Sequence, residues 1–302
     1  MSLNPKILEE ARASQSTKLA AGLFLERQGT IFRSLMRDRA ALFGLVIVLI
    51  FVTLAVLAPL IAPHGPAVQH LNERLVSPSL TFPLGTDNLG RCLLSRLLFG
   101  AQISLGSAVI ASLIALGIGV SVGVLSGYFG GWVDAVFMRI VDLILAFPLL
   151  VLALAITGMI GIGMMSVLIG IVSVWWASYA RIVRSLVLSV RERPFIEAAR
   201  ATGLRRFKII TRHVLPNVIT PVVVLATLEM GNLILAVAGL SFLNLGVQSP
   251  TPEWGAMLNE GRLFLRRAPQ LMLYPGLMIS LAVLGFNLLG DGLRDALDPR
   301  QK

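Results

Sequence analysis

The sequence predicts an all-α integral membrane protein with six transmembrane helices. Three observations carry that reading. The 302-residue chain is 56% hydrophobic and only 14% charged, with a mean hydropathy of +0.81; soluble domains carry roughly 25% charged residues. Six apolar runs approach or reach the ~20 residues that a helix needs to cross the hydrocarbon core. The Lys and Arg residues gather between those runs. The net charge of +10 therefore reads as a topology signal, not as a nucleic-acid footprint.

Residues 1–39 are polar and mixed in charge. They are too long for the n-region of a signal peptide, and the following apolar run lacks a small-x-small cleavage site. They read as a cytoplasmic tail with some helix, for example Ile31 to Arg37. The first span is Ala41 to Ile61, the second about Ile103 to Tyr128 and the third about Val136 to Met159. The fourth is about Met165 to Ala180, the fifth Val218 to Leu240 and the sixth Leu271 to Leu289.

The segment joining spans one and two ends in PLGTDNLGRCLLSRLLFGA. Thr86 or Asp87 can cap a helix there. Leu89, Leu93, Leu94, Leu97 and Leu98 then fall towards one side, which predicts a short helix lying at the membrane interface. Cys92 is the one cysteine, so no disulfide forms within the chain. It has no His or Cys neighbours at metal-ligand spacing, and a structural role is expected. Span two carries Gly119, Gly123, Gly127 and Gly131 at four-residue spacing. Such a ridge lets another helix approach closely, either within the chain or as a dimer face.

The loops set the orientation. Residues 1–40 hold Lys6, Arg12, Lys18, Arg27, Arg33, Arg37 and Arg39. Residues 181–213 hold Arg181, Arg184, Arg191, Arg193, Arg200, Arg205, Arg206, Lys208 and Arg212 against Glu192 and Glu197. Residues 62–102 hold only Arg74, Arg91 and Arg96. Positive-inside then places both termini in the cytoplasm. Arg262, Arg266 and Arg267 in the external loop at 241–270 run mildly against the rule.

Two acids lie inside spans. Asp142 follows Arg139 by one turn, so a pair along the helix is expected. Glu229 sits mid-span with Asn232 on its face. An acid in a membrane span marks either a solute path or a hydrogen bond between helices, and the residues alone leave both open. An ion-coupled secondary transporter using Asp142 and Glu229 is the competing class.

Enzyme chemistry is absent from the sequence. There is no G-x-x-x-x-G-K-[ST] phosphate loop, so ATP is not expected to bind this chain. His64, His70 and His213 are dispersed and form no metal-binding set. No local Ser, His and Asp signature is present.

The longest basic run of the second half is RERPFIEAARATGLRRFKIITRHVLPN, Arg191 to Asn217. Pro194 suits a first helical turn, and Glu197 faces the positive end of the helix dipole. Phe195, Ala198, Ala199 and Thr202 are expected on one side. Gly203 supplies a residue that takes positive φ and stops the helix. A second helix is expected from Leu204 to Val214, with Phe207 and Ile210 on one face and Pro216 marking its end. Helix, glycine turn and helix make a rigid knob with small alanines on its surface. A solvated basic loop is the alternative.

EAARATG, followed by Leu215 and Pro216, resembles the EAA loop of permease subunits in binding-protein-dependent ABC importers. The resemblance covers residues 40–300. PLGTDNLGR, YFGGWVD, WWASYARIVRS, GLSFLNLG, PTPEWGAML and FNLLGDGLRDALDP look like the dipeptide, oligopeptide and nickel branch, in the second of its two permeases. The resemblance implies the six-helix type I importer permease fold over residues 40–302, with a coupling loop at 184–216. It also implies a homologous second permease, two ATPase subunits holding ATP and Mg, and an extracytoplasmic binding protein, in the cytoplasmic membrane of a bacterium or archaeon. The loops at 62–102 and 241–270 would be that binding protein's landing surface. Glu197, Ala198, Ala199, Gly203, Leu215 and Pro216 match the ATPase-coupling positions. Where many peptide-type relatives carry an acid, Val237 stands, and Glu229 lies two turns earlier, as in nickel-type relatives. Nickel or a metal chelate therefore stands beside di- and oligopeptides as the implied solute.

Overall fold

A computed structural model describes Met36 and residues 38–297. The helix expected at Ile31–Arg37 and nearly all of the tail lie outside the described residues. Helix α1 runs Arg39–Ile61, capped by Asp38, whose Oδ1 accepts from the Ala40 and Ala41 amides at 2.8 and 3.3 Å. A long loop leads to α2, Leu93–Phe129. Helices α3, Gly131–Leu145, and α4, Leu149–Ile160, follow, with a 90° bend between them. Helix α5 is Met164–Arg191, α6 is Pro194–Ala201 and α7 is Arg206–Phe242, with a π-helical turn at Ile210–Val214. Helix α8 is Trp254–Gly261, followed by a tight turn at Arg262–Phe264, and α9 is Gln270–Leu297. Five of these are long and apolar enough to cross a membrane; the α3–α4 pair, bent by 90°, is so only when its two helices are taken together, as one broken span or a re-entrant loop.

Three expected spans need correction. The third is broken. Its apolar run is continuous, but Pro148 lacks an amide hydrogen and biases Phe147 away from helix. The chain therefore turns there, with Pro148 at ψ 121°. The second is longer, because the expected interfacial helix is the first part of α2. Asp87 does not cap it. Its Oδ1 accepts from the amides of Leu89 and Arg91 at 2.8 and 2.9 Å, which folds a turn, and Cys92 occupies the cap. The fifth starts early. Pro216 does not end a separate helix; it lies within the continuous run of α7.

Close approach builds the bundle. Helices α2 and α5 meet along the glycine ridge. A Cβ on Gly119 would lie 2.4 Å from Tyr179 Cβ, one on Gly123 2.7 Å from the Ala180 carbonyl, and one on Gly127 2.9 Å from Val187 Cβ. The ridge packs within the chain, where lipid offers no hydrophobic drive and backbone proximity has to supply the contact. Gly131 departs from the ridge: it turns the chain at φ +55° with open space around it. Helices α1 and α9 meet in the same way at Gly44 and Gly285.

Two ends of the bundle follow from side-chain bonds. Arg191 Nη1 donates to the Gly127 and Tyr128 carbonyls at 3.2 and 3.3 Å, so the 192–205 turn lies beside the end of α2. At the other end, the His64 amide donates to Ser95 Oγ and Trp254 Nε1 donates to the Leu97 carbonyl, both at 3.1 Å. The 62–92 loop and α8 therefore share the Leu93 end.

Candidate functional site

The basic stretch forms a short helix seated on the bundle. Ile196 is fully buried and Ala199 nearly so, in a core shared with Val187, Val190, Ile209 and Val214. Glu197 and Ala198 point outward, and Phe195 is partly exposed. Ala198 and Ala199 therefore do not share the expected face, because the i, i+3 pair Ile196 and Ala199 sets which side packs. Gly203 sits at φ +74°. Its amide donates to the Arg200 carbonyl at 3.0 Å, and the Leu204 amide donates to the Ala199 carbonyl at 3.3 Å. These two bonds are a Schellman stop. Leu204 then packs back on the same core, and Arg205 takes the N-cap position of α7. Leu215 is half-buried and Pro216 exposed on α7, one to two residues beyond the π turn. Phe207 is exposed. The Arg200 guanidinium lies 5.8 Å from the Tyr128 ring centroid, a cation–π contact that ties α6 to α2.

Acids and arginines clamp α3 to α5. Arg184 donates to both Asp134 oxygens at 2.5 Å, and the Ser126 hydroxyl donates to Oδ1 as well. Asp142 does not pair with Arg139. Arg181 Nη2 reaches its Oδ1 at 2.5 Å, because packing of α3 on α5 brings a cross-helix guanidinium closer than the one on its own helix.

Glu229 and Asn232 come together mid-span, as their spacing suggested. Trp175 Nε1 on α5 and Asn232 Nδ2 both donate to Glu229 Oε2 at 3.3 Å. The group lines an open cleft of about 360 Å³ with Ser178, Leu149, Leu150 and Leu235. Among the described residues no cation pairs with Glu229.

The far end holds a polar core that sequence reasoning missed. Arg91 and Arg96 are each 1% exposed and Asp87 2%. Arg91 Nε reaches Asp87 Oδ2 at 2.6 Å and its Nη2 reaches Glu260 Oε2 at 2.7 Å. Arg96 Nη1 reaches the same two oxygens at 2.5 and 2.7 Å. Glu253, at the start of α8, is fully buried. Its Oε1 accepts from Ser104 Oγ and its Oε2 from the Ala256 amide, both at 2.8 Å, which caps α8. Burial pushes its carboxyl above the ordinary range, against those donors. The signal was present but weak: Asp87, Arg91 and Arg96 lie close together in sequence, with Glu260 far from them, in a chain poor in charge. His64 and His70, dispersed in sequence, also meet. The His64 ring stacks on Phe82 at 4.8 Å and lies 5.8 Å from His70.

Comparison with known proteins agrees with this architecture. Residues 119–302 match the family described as binding-protein-dependent transport system inner membrane component. Residues 29–78 match the N-terminal TM domain of oligopeptide transport permease C. The chain is 44% identical over 271 residues to the dipeptide transport system permease protein DppC of Alkalihalophilus pseudofirmus, covering 90% of this chain and 89% of that protein. It is 40% identical over 272 residues to the glutathione transport system permease protein GsiD of Pectobacterium atrosepticum, covering 90% of each. It is 42% identical over 256 residues to the nickel transport system permease protein NikC of Escherichia coli K12, covering 85% and 92%. In fold it is similar to a chain from inward-facing structures of the MetNI methionine ABC transporter, with a TM-score of 0.53 and 20% identity over 67% of this chain and 96% of that one. An ion-coupled carrier is thereby set aside. With its apolar helical bundle, its seated helix and these relatives, the chain belongs to the family of binding-protein-dependent transport system inner membrane components.

Proposed function

We propose that this permease carries short peptides through the membrane for an ATP-driven importer, paired with a homologous second permease and driven by two ATPase subunits. The observation that carries the reading is the seated α6: Ile196 and Ala199 root it in the bundle, while Glu197 and Ala198 face outward. A helix held rigidly to the spans but exposed on its outer face can pass a push into them. Glu197 and Ala198 meet an ATPase, Ala199 and Gly203 hold the shape, and Leu215 and Pro216 carry the motion into α7. ATP and Mg belong to the ATPases. Both termini, with the 1–39 tail and the 184–216 coupling loop of the 40–302 domain, lie on the cytoplasmic side. The Leu93 end then faces outward, and its 62–92 and 243–269 segments receive an extracytoplasmic binding protein. Glu229 and Asn232 line the solute path.

The dipeptide and glutathione relatives favour a peptide. The nickel relative, at comparable identity, supports nickel as the second reading. The test is uptake by the assembled transporter in proteoliposomes. Wild type takes up a labelled dipeptide only with ATP, and Glu197→Lys abolishes uptake while the subunit stays in the membrane. Uptake without ATP, or unchanged by Glu197→Lys, refutes the reading.

A further inference from the structure

We propose that Glu229, oriented by Trp175 and Asn232, is a cation-recognition subsite that meets the transported solute through a positively charged group, an ammonium or a metal cation. The inference rests on the permease reading and adds to it the chemistry of the solute. It starts from placement. Glu229 lies near the middle of the Leu215–Phe242 helix, opposite the middle of α5 at Trp175. A carboxylate at that depth is costly and calls for a partner or a task. Among the described residues no Lys or Arg pairs with it.

Its hydrogen bonds are lopsided. Both donors, the Trp175 indole and the Asn232 amide, reach Oε2 at 3.3 Å. Oε1 has no hydrogen-bond donor among the described residues. Trp175 is 6% exposed, so its indole is fixed by packing and holds the carboxylate in place. The cleft around Glu229 is open, about 360 Å³, and otherwise walled by Leu149, Leu150, Leu235 and Ala236, with Ser178 beside them. Apolar walls keep the local dielectric low and extend the reach of the one charge. Among the described residues no guanidinium or ammonium lines the cleft, so a carboxylate on the solute finds no partner there, whereas a cation does.

The competing role is a hydrogen bond between α5 and α7 with no part in transport. Glutamine separates the two roles, because it can still accept from Trp175 and Asn232 but carries no charge. The experiment uses the whole transporter, with its ATPases, second permease and binding protein, in proteoliposomes. Dialanine and Ni²⁺ are the two probes, and they distinguish an ammonium from a metal cation. Glu229→Gln is expected to cut ATP-driven uptake of the probe that wild type carries at least tenfold, with Glu229→Asp within threefold of wild type. Leu150→Lys, which hangs an ammonium on the cleft wall, is expected to block uptake while assembly persists. Uptake within twofold of wild type in either Glu229→Gln or Leu150→Lys overturns the subsite and leaves the permease reading standing. A wild-type complex that takes up neither probe overturns both.

Discussion

Arg91 Nη2 lies 2.7 Å from Glu260 Oε2, a pairing that ties the loop ahead of α2 to the end of α8 across 169 residues of sequence. Arg96 shares that oxygen and also reaches Asp87, so two cations and two anions close on one another, with Asp87, Arg91 and Arg96 almost fully buried. Removing one member of a buried set leaves its partner charged and unpaired, at a cost of about 3–5 kcal/mol. Arg96→Met strips a donor from both acids, and Glu260→Gln leaves Asp87 to serve both arginines. The expected order of destabilisation is Arg96→Met well above Glu260→Gln, whose site is also partly exposed. Thermal unfolding of the purified complex reads this order, and equal or reversed losses contradict it.

The glycine ridge makes a sharper steric prediction. A Cβ on Gly123 would lie 2.7 Å from both the Ala180 carbonyl and Val183 Cβ, with backbone on one side. Gly123→Leu therefore forces α2 away from α5 and is expected to abolish a folded, extractable subunit. Gly117, on the same helix, has nothing within 4 Å. Gly117→Ala is expected to be neutral or to stabilise by up to ~1 kcal/mol through helix propensity. Size-exclusion profiles of the two variants check the contrast.

Much of this was legible in the residues. Hydropathy gives the five long apolar helices because lipid demands that every backbone polar group be satisfied within a helix. The i, i+4 glycines announce a close helix pair. Gly203 announces a stop, since few other residues tolerate its φ. What stayed hidden is what depends on three dimensions. The bend at Pro148 interrupts no hydropathy. Which of Ala198 and Ala199 faces inward is decided by Ile196 finding a core built from α5 and α7. Arg91 and Arg96 read as topology charges and Asp87 as a helix cap until the fold brings α8, with Glu260, against α2. Arg181 displaces Arg139 as the partner of Asp142 only because α3 packs on α5.

That last pair predicts little effect on stability. Arg181 and Asp142 are each about half exposed or more, at 50% and 60%, and exposed pairs contribute roughly 0–1 kcal/mol. Asp142→Asn is expected to leave melting and ATP-driven uptake near wild type. A large loss of uptake would give Asp142 a transport role that its pairing does not suggest.

Glu253 sets a pH dependence. Burial holds its carboxyl above the ordinary 4.5, with the Gly255 and Ala256 amides and the hydroxyls of Ser104 and Ser241 opposing the shift. The folded state therefore keeps the proton more tightly than the unfolded chain. Its contribution to stability is fully present below 4.5 and fades as pH rises through the raised native value. Glu253→Gln keeps an acceptor for the α8 cap but does not ionise. Wild type is expected to lose melting temperature relative to Glu253→Gln as pH rises from about 4.5 towards 8. Parallel curves for the two proteins would show that burial does not raise the carboxyl above its ordinary value.

Gly203 separates shape from charge in the coupling loop. Its φ of +74° suits glycine, yet a Cβ there meets nothing within 4 Å. Gly203→Ala therefore costs only the left-handed backbone, about 1–2 kcal/mol. Proline cannot take that φ, and it removes the amide that donates to the Arg200 carbonyl. It unseats Leu204 from the core and frees α6 from α7, while the spans on either side keep their own packing. Gly203→Ala is expected to retain most ATP-driven uptake in proteoliposomes. Gly203→Pro is expected to lose it, with the subunit still in the membrane and ATP hydrolysis no longer tied to transport. If Gly203→Pro transports normally, a rigid stop between α6 and α7 is not what carries the push, and the charged outer face at Glu197 would have to carry it alone.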